Sequence, residues 1–280
     1  MNRFVLLLPL CAPFVYAPAA NAYNTSLTVT ASANAAYGSP SYDSDFKVID
    51  NVNGPSAYAV DALYQVPDPR SGPGSNLETY RSSASGFVSA GILKATANAS
   101  ATAYAANVAS GSSKVSFSDH FSVAGPSGRN IDLTLTYLVS GGLSGSATAR
   151  GSVQLGTGDS ISFSENGYTP RSFNCSWTPS CTGVATFSVP VNTLISLDAF
   201  LEVGASASSY FKPTATQSSA NFGSTGLVYL GIADNRYQLL TDSGYGYAPV
   251  PLPAAVWLFA GGLALFGTLV SDKRRVTQAL

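Results

Sequence analysis

Between residues 23 and 247 the chain alternates apolar and polar side chains with a period of two, in short runs that glycine and proline keep interrupting. Residues 26–34 set Leu27, Val29, Ala31 and Ala33 against Ser, Thr and Asn. Residues 132–138 set Leu133, Leu135 and Tyr137 against Thr134, Thr136 and Leu138, and residues 146–155 and 160–164 follow the same rule. Successive side chains of a strand point to opposite faces, so each run predicts a strand with one buried and one exposed face. An amphipathic helix would need apolar residues three and four apart, and no convincing case occurs in this stretch. The interruptions are turn chemistries: Asn53-Gly54-Pro55, Asp68-Pro69, Ser71-Gly72-Pro73-Gly74, Ala109-Ser110-Gly111, Gly125-Pro126, Gly141-Gly142 and Gly156-Thr157-Gly158. Strands recurring roughly every 8–12 residues with such punctuation predict an all-β domain, a β-sandwich or jelly-roll-like ectodomain. A β-solenoid is the topological alternative, but no fixed-period repeat supports it.

Three stretches are less plain. Residues 192–208 are long enough for one extended strand or a bent pair. Residues 95–106 carry only small side chains, which suits close packing on another sheet or an exposed edge rather than a bulky core. Residues 61–66 fit either a strand or a short helical turn.

The two ends read differently. Residues 1–22 hold one early charge, Arg3, an apolar run and Ala20-Asn21-Ala22, the layout of a cleaved signal peptide. At the other end Val250, Pro251, Leu252, Pro253 and Ala254 lead into an apolar stretch, 254–270, followed by Lys273, Arg274 and Arg275. Its seventeen residues make roughly 25 Å of helix, close to a hydrocarbon core of about 30 Å. Trp257 sits where interfacial aromatics do, and the basic cluster should stay in the cytoplasm. One transmembrane helix is expected, N-terminus outside, its outer end stopped by the two prolines. The domain between the ends, residues 23–249, keeps ten basic and fourteen acidic residues, a net −4. It lacks the basic footprint of a nucleic-acid binder.

Val250–Ala254 followed by Ala255, Val256, Trp257, Leu258 and Phe259 resembles the VPLPA variant of the PEP-CTERM sorting domain. That domain is a proline motif, one hydrophobic helix and a basic tail, here residues 250–275; residues 276–280 run beyond the usual end. The resemblance implies an exported protein of a Gram-negative, exopolysaccharide-producing bacterium. It also implies recognition of the tail by an exosortase, a membrane-embedded processing enzyme. A sortase signal is not matched, because the Leu-Pro-x-Thr-Gly order is missing. Within the domain, residues 88–97, Phe117-Ser118-Asp119-His120-Phe121, Asn221-Phe222-Gly223-Ser224-Thr225 and Thr241-Asp242-Ser243-Gly244-Tyr245 resemble segments of the same exported proteins. The resemblance implies a β-domain and brings no catalytic residues with it.

Candidate chemistry is sparse. Two cysteines remain after residue 22, in Cys175-Ser-Trp-Thr-Pro-Ser-Cys181. An even, closely spaced pair in an exported chain is expected to form a disulfide. Closing so short a loop stabilises by about 2–3 kcal/mol if unstrained. A zinc site or a catalytic cysteine would need histidines, and the chain has one, His120. His120 and Asp119 are neighbours on an apparent strand, 116–123, and so face opposite sides; no Gly-x-Ser-x-Gly elbow accompanies them. Asp43, Asp45 and Asp50 with Asn51 and Asn53 form the densest oxygen cluster, expected as a solvated loop. Calcium is the alternative, without the EF-hand order. Glu78, Glu165 and Glu202 lie in unrelated segments and nominate no glycosidase pair. Trp177, near Tyr168, Phe173 and Pro179, is a platform for a sugar ring or a lid over the disulfide.

The sequence therefore points to a non-enzymatic, exported surface or matrix protein, structural or adhesive, with no cofactor. Its expected partners are the membrane, an exosortase-like enzyme and extracellular polysaccharide. A carbohydrate-binding module is the second reading.

Overall fold

The inward positions of the alternating runs line up into one layer of apolar side chains between two antiparallel sheets. The computed structural model describes residues 23–34, 42–67, 77–102, 107–158, 160–166, 169–170, 180–209 and 216–247. Every regular element among them is a strand: β1 (Asn24–Asn34), β2 (Tyr42–Asn53), β3 (Ser56–Pro67), β4 (Leu77–Ser89), β5 (Ile92–Thr102), β6 (Asn107–Ala124) and β7 (Asn130–Ser144). There follow β8 (Ser146–Leu155), β9 (Ser160–Asn166), β10 (Thr169–Pro170), β11 (Ser180–Pro190), β12 (Ile195–Ser209), β13 (Thr216–Ile232) and β14 (Gln238–Thr241). The first sheet runs β10-β9-β8-β12-β6-β1-β2, with β14 taking over the edge of β6 beyond the end of β1. The second runs β11-β7-β13-β5-β4-β3. No helix among the described residues is long and apolar enough to cross a membrane. The expected span 254–270 lies outside them.

The layer between the sheets is graded in size. Leu27, Val115, Leu201, Leu93, Tyr137 and Leu135 fill one part of it, all buried. Toward the other end the rows Ala31–Gly111–Ala205 and Ala33–Ala109–Ala207 of the first sheet face Ala84–Ala97–Ala220 and Ser82–Ala99–Ser218 of the second. Small side chains let the backbones approach. A Cβ on Gly111 would lie 2.7 Å from the carbonyl oxygen of Ser83 and 3.0 Å from that of Asn98, both in the opposite sheet. Ser82 reaches across and donates its hydroxyl to the Ser32 carbonyl at 2.9 Å. The alanine- and serine-rich stretch 95–106 is thus, where described, a central strand packed closely on the other layer, not an edge.

Several sequence expectations need correction. Ala109-Ser110-Gly111 and Gly141-Gly142 are not turns: the first lies inside β6 and the second inside β7. In both places glycine serves close approach, at Gly111 to the facing sheet and at Gly141 to the ring of Phe222. The acidic segment 43–53 is not a loop but strand β2, the edge of the first sheet. Residues 61–66 belong to strand β3, not to a helical turn. The long run ending near residue 208 is one strand, β12, entered through a turn in which Asn192 has φ 57°.

Candidate functional site

Asp119 is the one aspartate among the described residues buried in the core. It sits on β6 at the inward positions shared by Val115, Phe117, Phe121 and Val123. A buried carboxylate needs donors, and four converge on it. The backbone N–H of His120 donates at 2.8 Å and that of Ser243 at 3.2 Å, both to Oδ1. The Ser243 hydroxyl donates at 2.5 Å and the Tyr247 hydroxyl at 2.7 Å, both to Oδ2. Burial, reinforced by the Asp119 charge, pushes the Tyr247 phenol far above its ordinary value, so it stays a neutral donor. Tyr247 also stacks on Phe117 at 6.3 Å, meets Tyr245 edge-on at 5.0 Å, and accepts the Leu230 N–H through its carbonyl at 3.0 Å. This cluster latches the end of the described chain onto β6 and β13. Asp119 itself is wholly buried.

The open polar surface is elsewhere, on the outward face of the first sheet. Two rows cross neighbouring strands there: Ser152–Phe200–Ser116–Ser26 and Gln154–Asp198–Ser118–Asn24, each running β8, β12, β6, β1. Together with Lys114 they line a trough of about 280 Å³. The Lys114 ammonium stands 5.7 Å from the centre of the Phe200 ring, which forms its apolar wall. One row further on, Arg150 and Glu202 pair at 2.8 Å. Beyond them the hydroxyls close on one another, Thr30 with Ser112 at 2.7 Å and Ser32 with Ser110 at 2.8 Å. Inside the trough they do not: none of its outward serines, nor Asn24 or Gln154, bonds to another described side chain.

No family model, curated protein or solved structure matches this chain.

The residues singled out in the sequence fall as follows. Val250, Pro251, Leu252, Pro253, Ala254, Lys273, Arg274, Arg275, the aromatic platform of Tyr168, Phe173, Trp177 and Pro179, and Cys175 lie outside the described residues. Cys181 contributes backbone to β11, opposite Val139, and its pairing with Cys175 also lies outside them. Asp119 and His120 do face opposite sides of β6; His120 is half exposed, its Nδ1 3.8 Å from Asp242 Oδ2. Glu78 is buried in the second sheet beside the Tyr80 hydroxyl at 2.8 Å, while Glu202 faces out from the first, so the two form no pair. Asp43 and Asp45 stand on the inward side of β2, opposite Ala33 and Ala31, and Asp43 accepts the Leu63 N–H of β3 at 2.9 Å. Among the described residues no three His, Cys, Asp or Glu side chains gather as a metal site would require.

Sequence reasoning missed both the latch and the trough. Asp119 shares the parity of four apolar neighbours, a signal that was there to read. The trough assembles four strands whose register no local pattern gives.

Proposed function

We propose that this chain is an exported surface or matrix protein of a Gram-negative cell: a β-sandwich ectodomain, jelly-roll-like in build, carried on one C-terminal transmembrane helix. In this reading the domain is structural or adhesive, not an enzyme, and an exosortase-like enzyme processes the tail. The observation that carries the reading is the order Val250-Pro251-Leu252-Pro253-Ala254, apolar 254–270, Lys273-Arg274-Arg275. The apolar run supplies membrane retention by burying its side chains away from water. The basic cluster sets orientation, because moving it across the bilayer is costly. Neither job needs Pro251 or Pro253, whose role is the shape offered to the processing enzyme. A disulfide between Cys175 and Cys181 would suit the oxidising compartment.

The second reading, a carbohydrate-binding module, is favoured by the unpaired polar trough on the first sheet.

The deciding experiment follows the protein in its own cells. Pro251→Ala combined with Pro253→Ala should leave it inserted but unprocessed, as a full-length membrane species. Deletion of 254–275 should release the domain as a soluble product. Wild-type processing and distribution of the double proline variant would overturn the sorting reading and leave an ordinary anchor.

A further inference from the structure

We propose that the trough on the outward face of the first sheet is a binding site for a neutral polysaccharide chain lying across the strands; the inference rests on the surface-protein reading and gives its adhesive contact a location. Hydroxyl and amide groups on this face come in two states. At the alanine-rich end they satisfy each other across strands, Thr30 with Ser112 and Ser32 with Ser110. In the trough the corresponding pairs Ser26–Ser116 and Asn24–Ser118 share the register but form no bond, and neither do Ser152 and Gln154. These groups present donors and acceptors together, as a polyhydroxylated ligand requires. Four strands at about 4.8 Å spacing give the row Gln154–Asp198–Ser118–Asn24 a length of roughly 14 Å, room for a few linked rings. Phe200 supplies the apolar wall against which the carbon face of a sugar rests.

Charge selects the class of chain. Lys114 and Asp198 are one cation and one anion lining the same trough, and the adjacent Arg150 and Glu202 neutralise each other. A polyanion gains nothing from such a balance, and neither does a polycation. The occupant is neutral, held by hydrogen bonds and one ring, so its binding is insensitive to salt.

The test is calorimetric titration of the full chain, held in micelles of a detergent without a sugar headgroup. The probes are cellohexaose, xylohexaose, maltohexaose and the acidic polymer polygalacturonate. At least one neutral hexasaccharide should bind saturably and equally at low and high salt. Phe200→Ala and, separately, the exposed Gln154→Ala should each weaken it at least about tenfold, roughly 1.4 kcal/mol. Ser112→Ala, from the self-paired row, should leave it unchanged. No saturable binding of any neutral probe, binding of polygalacturonate alone, or binding indifferent to both Phe200→Ala and Gln154→Ala would overturn the assignment. Tail processing is read separately in cells, so normal processing with no glycan binding sinks this site and leaves the sorting reading standing.

Discussion

Tyr247 donates its phenolic hydroxyl to a carboxylate oxygen of Asp119 at 2.7 Å, across 128 positions of sequence. The bond fastens the end of the described chain to the last third of β6, and three further donors complete the carboxylate's shell. Removing the acceptor strands the Tyr247 hydroxyl in the core and takes the partner from the half-buried Ser243 donors. Removing one donor leaves three. Asp119→Ala should therefore cost about 3 kcal/mol or more, and Tyr247→Phe about 1–2 kcal/mol. Urea unfolding midpoints of the two variants check the order; equal losses would contradict a shared shell.

Alkaline pH acts on the same phenol and on a second one. Burial raises the pKa of Tyr137, whose hydroxyl donates to the Phe200 carbonyl at 3.0 Å, and burial together with Asp119 raises that of Tyr247. A folded-state pKa above the unfolded value of about 10 means that the contribution is complete below pH 10 and is lost as pH rises beyond it. Each fully buried phenol adds a slope of about −1.4 kcal/mol per pH unit there. Stability measured from pH 9 to pH 12 should hold to about pH 10 and then fall, and the fall should be shallower in Tyr137→Phe than in the wild type.

Parity explains what was legible beforehand. Residues 26–34, 132–138 and 146–155 announce their strands because every second side chain is apolar and buried. Residues 61–66 did not, since Leu63 faces outward on an edge strand and breaks the alternation that Ala62 and Tyr64 set. In β2 the pattern is inverted: Lys47, Asp45 and Asp43 hold inward positions, and Phe46 and Val48 face solvent. Such a segment reads as a polar loop until its partner strand is known. The asparagine-to-threonine segment 221–225 hid another feature, two extra residues in β13 that leave Phe222 and Val228 both inward. The inward parity of Asp119 is written in the sequence, but the partners it meets 124 and 128 positions away, like the rows of the trough, depend on register and leave no local trace.

The close approach at the alanine-rich end has a direct consequence. Gly111 faces backbone oxygens of the opposite sheet, which cannot move aside as a flexible side chain would. Gly111→Ala should destabilise by about 1–3 kcal/mol through overpacking, and Gly111→Val by more. Ala31→Ser, equally small in volume, should cost less than Gly111→Val. Thermal unfolding of the three variants tests the ranking, and a neutral Gly111→Val would mean the sheets separate freely there.

The inverted strand β2 makes the last prediction. It is a long edge with Phe46 at 64% and Val48 at 45% exposure, a template for pairing with another chain. Two devices oppose that. The inward side of the strand carries Lys47, Asp45 and Asp43, which a second sheet would have to bury. Asp43 also holds the Leu63 N–H of β3, and Lys47 stands 5.6 Å from the centre of the Tyr58 ring, so the two edges cover one another. Replacing Asp43, Asp45 and Lys47 together by valine keeps the strand propensity and removes both devices. Sedimentation velocity of that variant should show concentration-dependent self-association well beyond the wild type. Adding Phe46→Lys should reverse it, because a lysine on the outer face of the edge disfavours pairing without altering the inward side. If the triple valine variant sediments as the wild type does, the inward charges are not what keeps this edge unpaired.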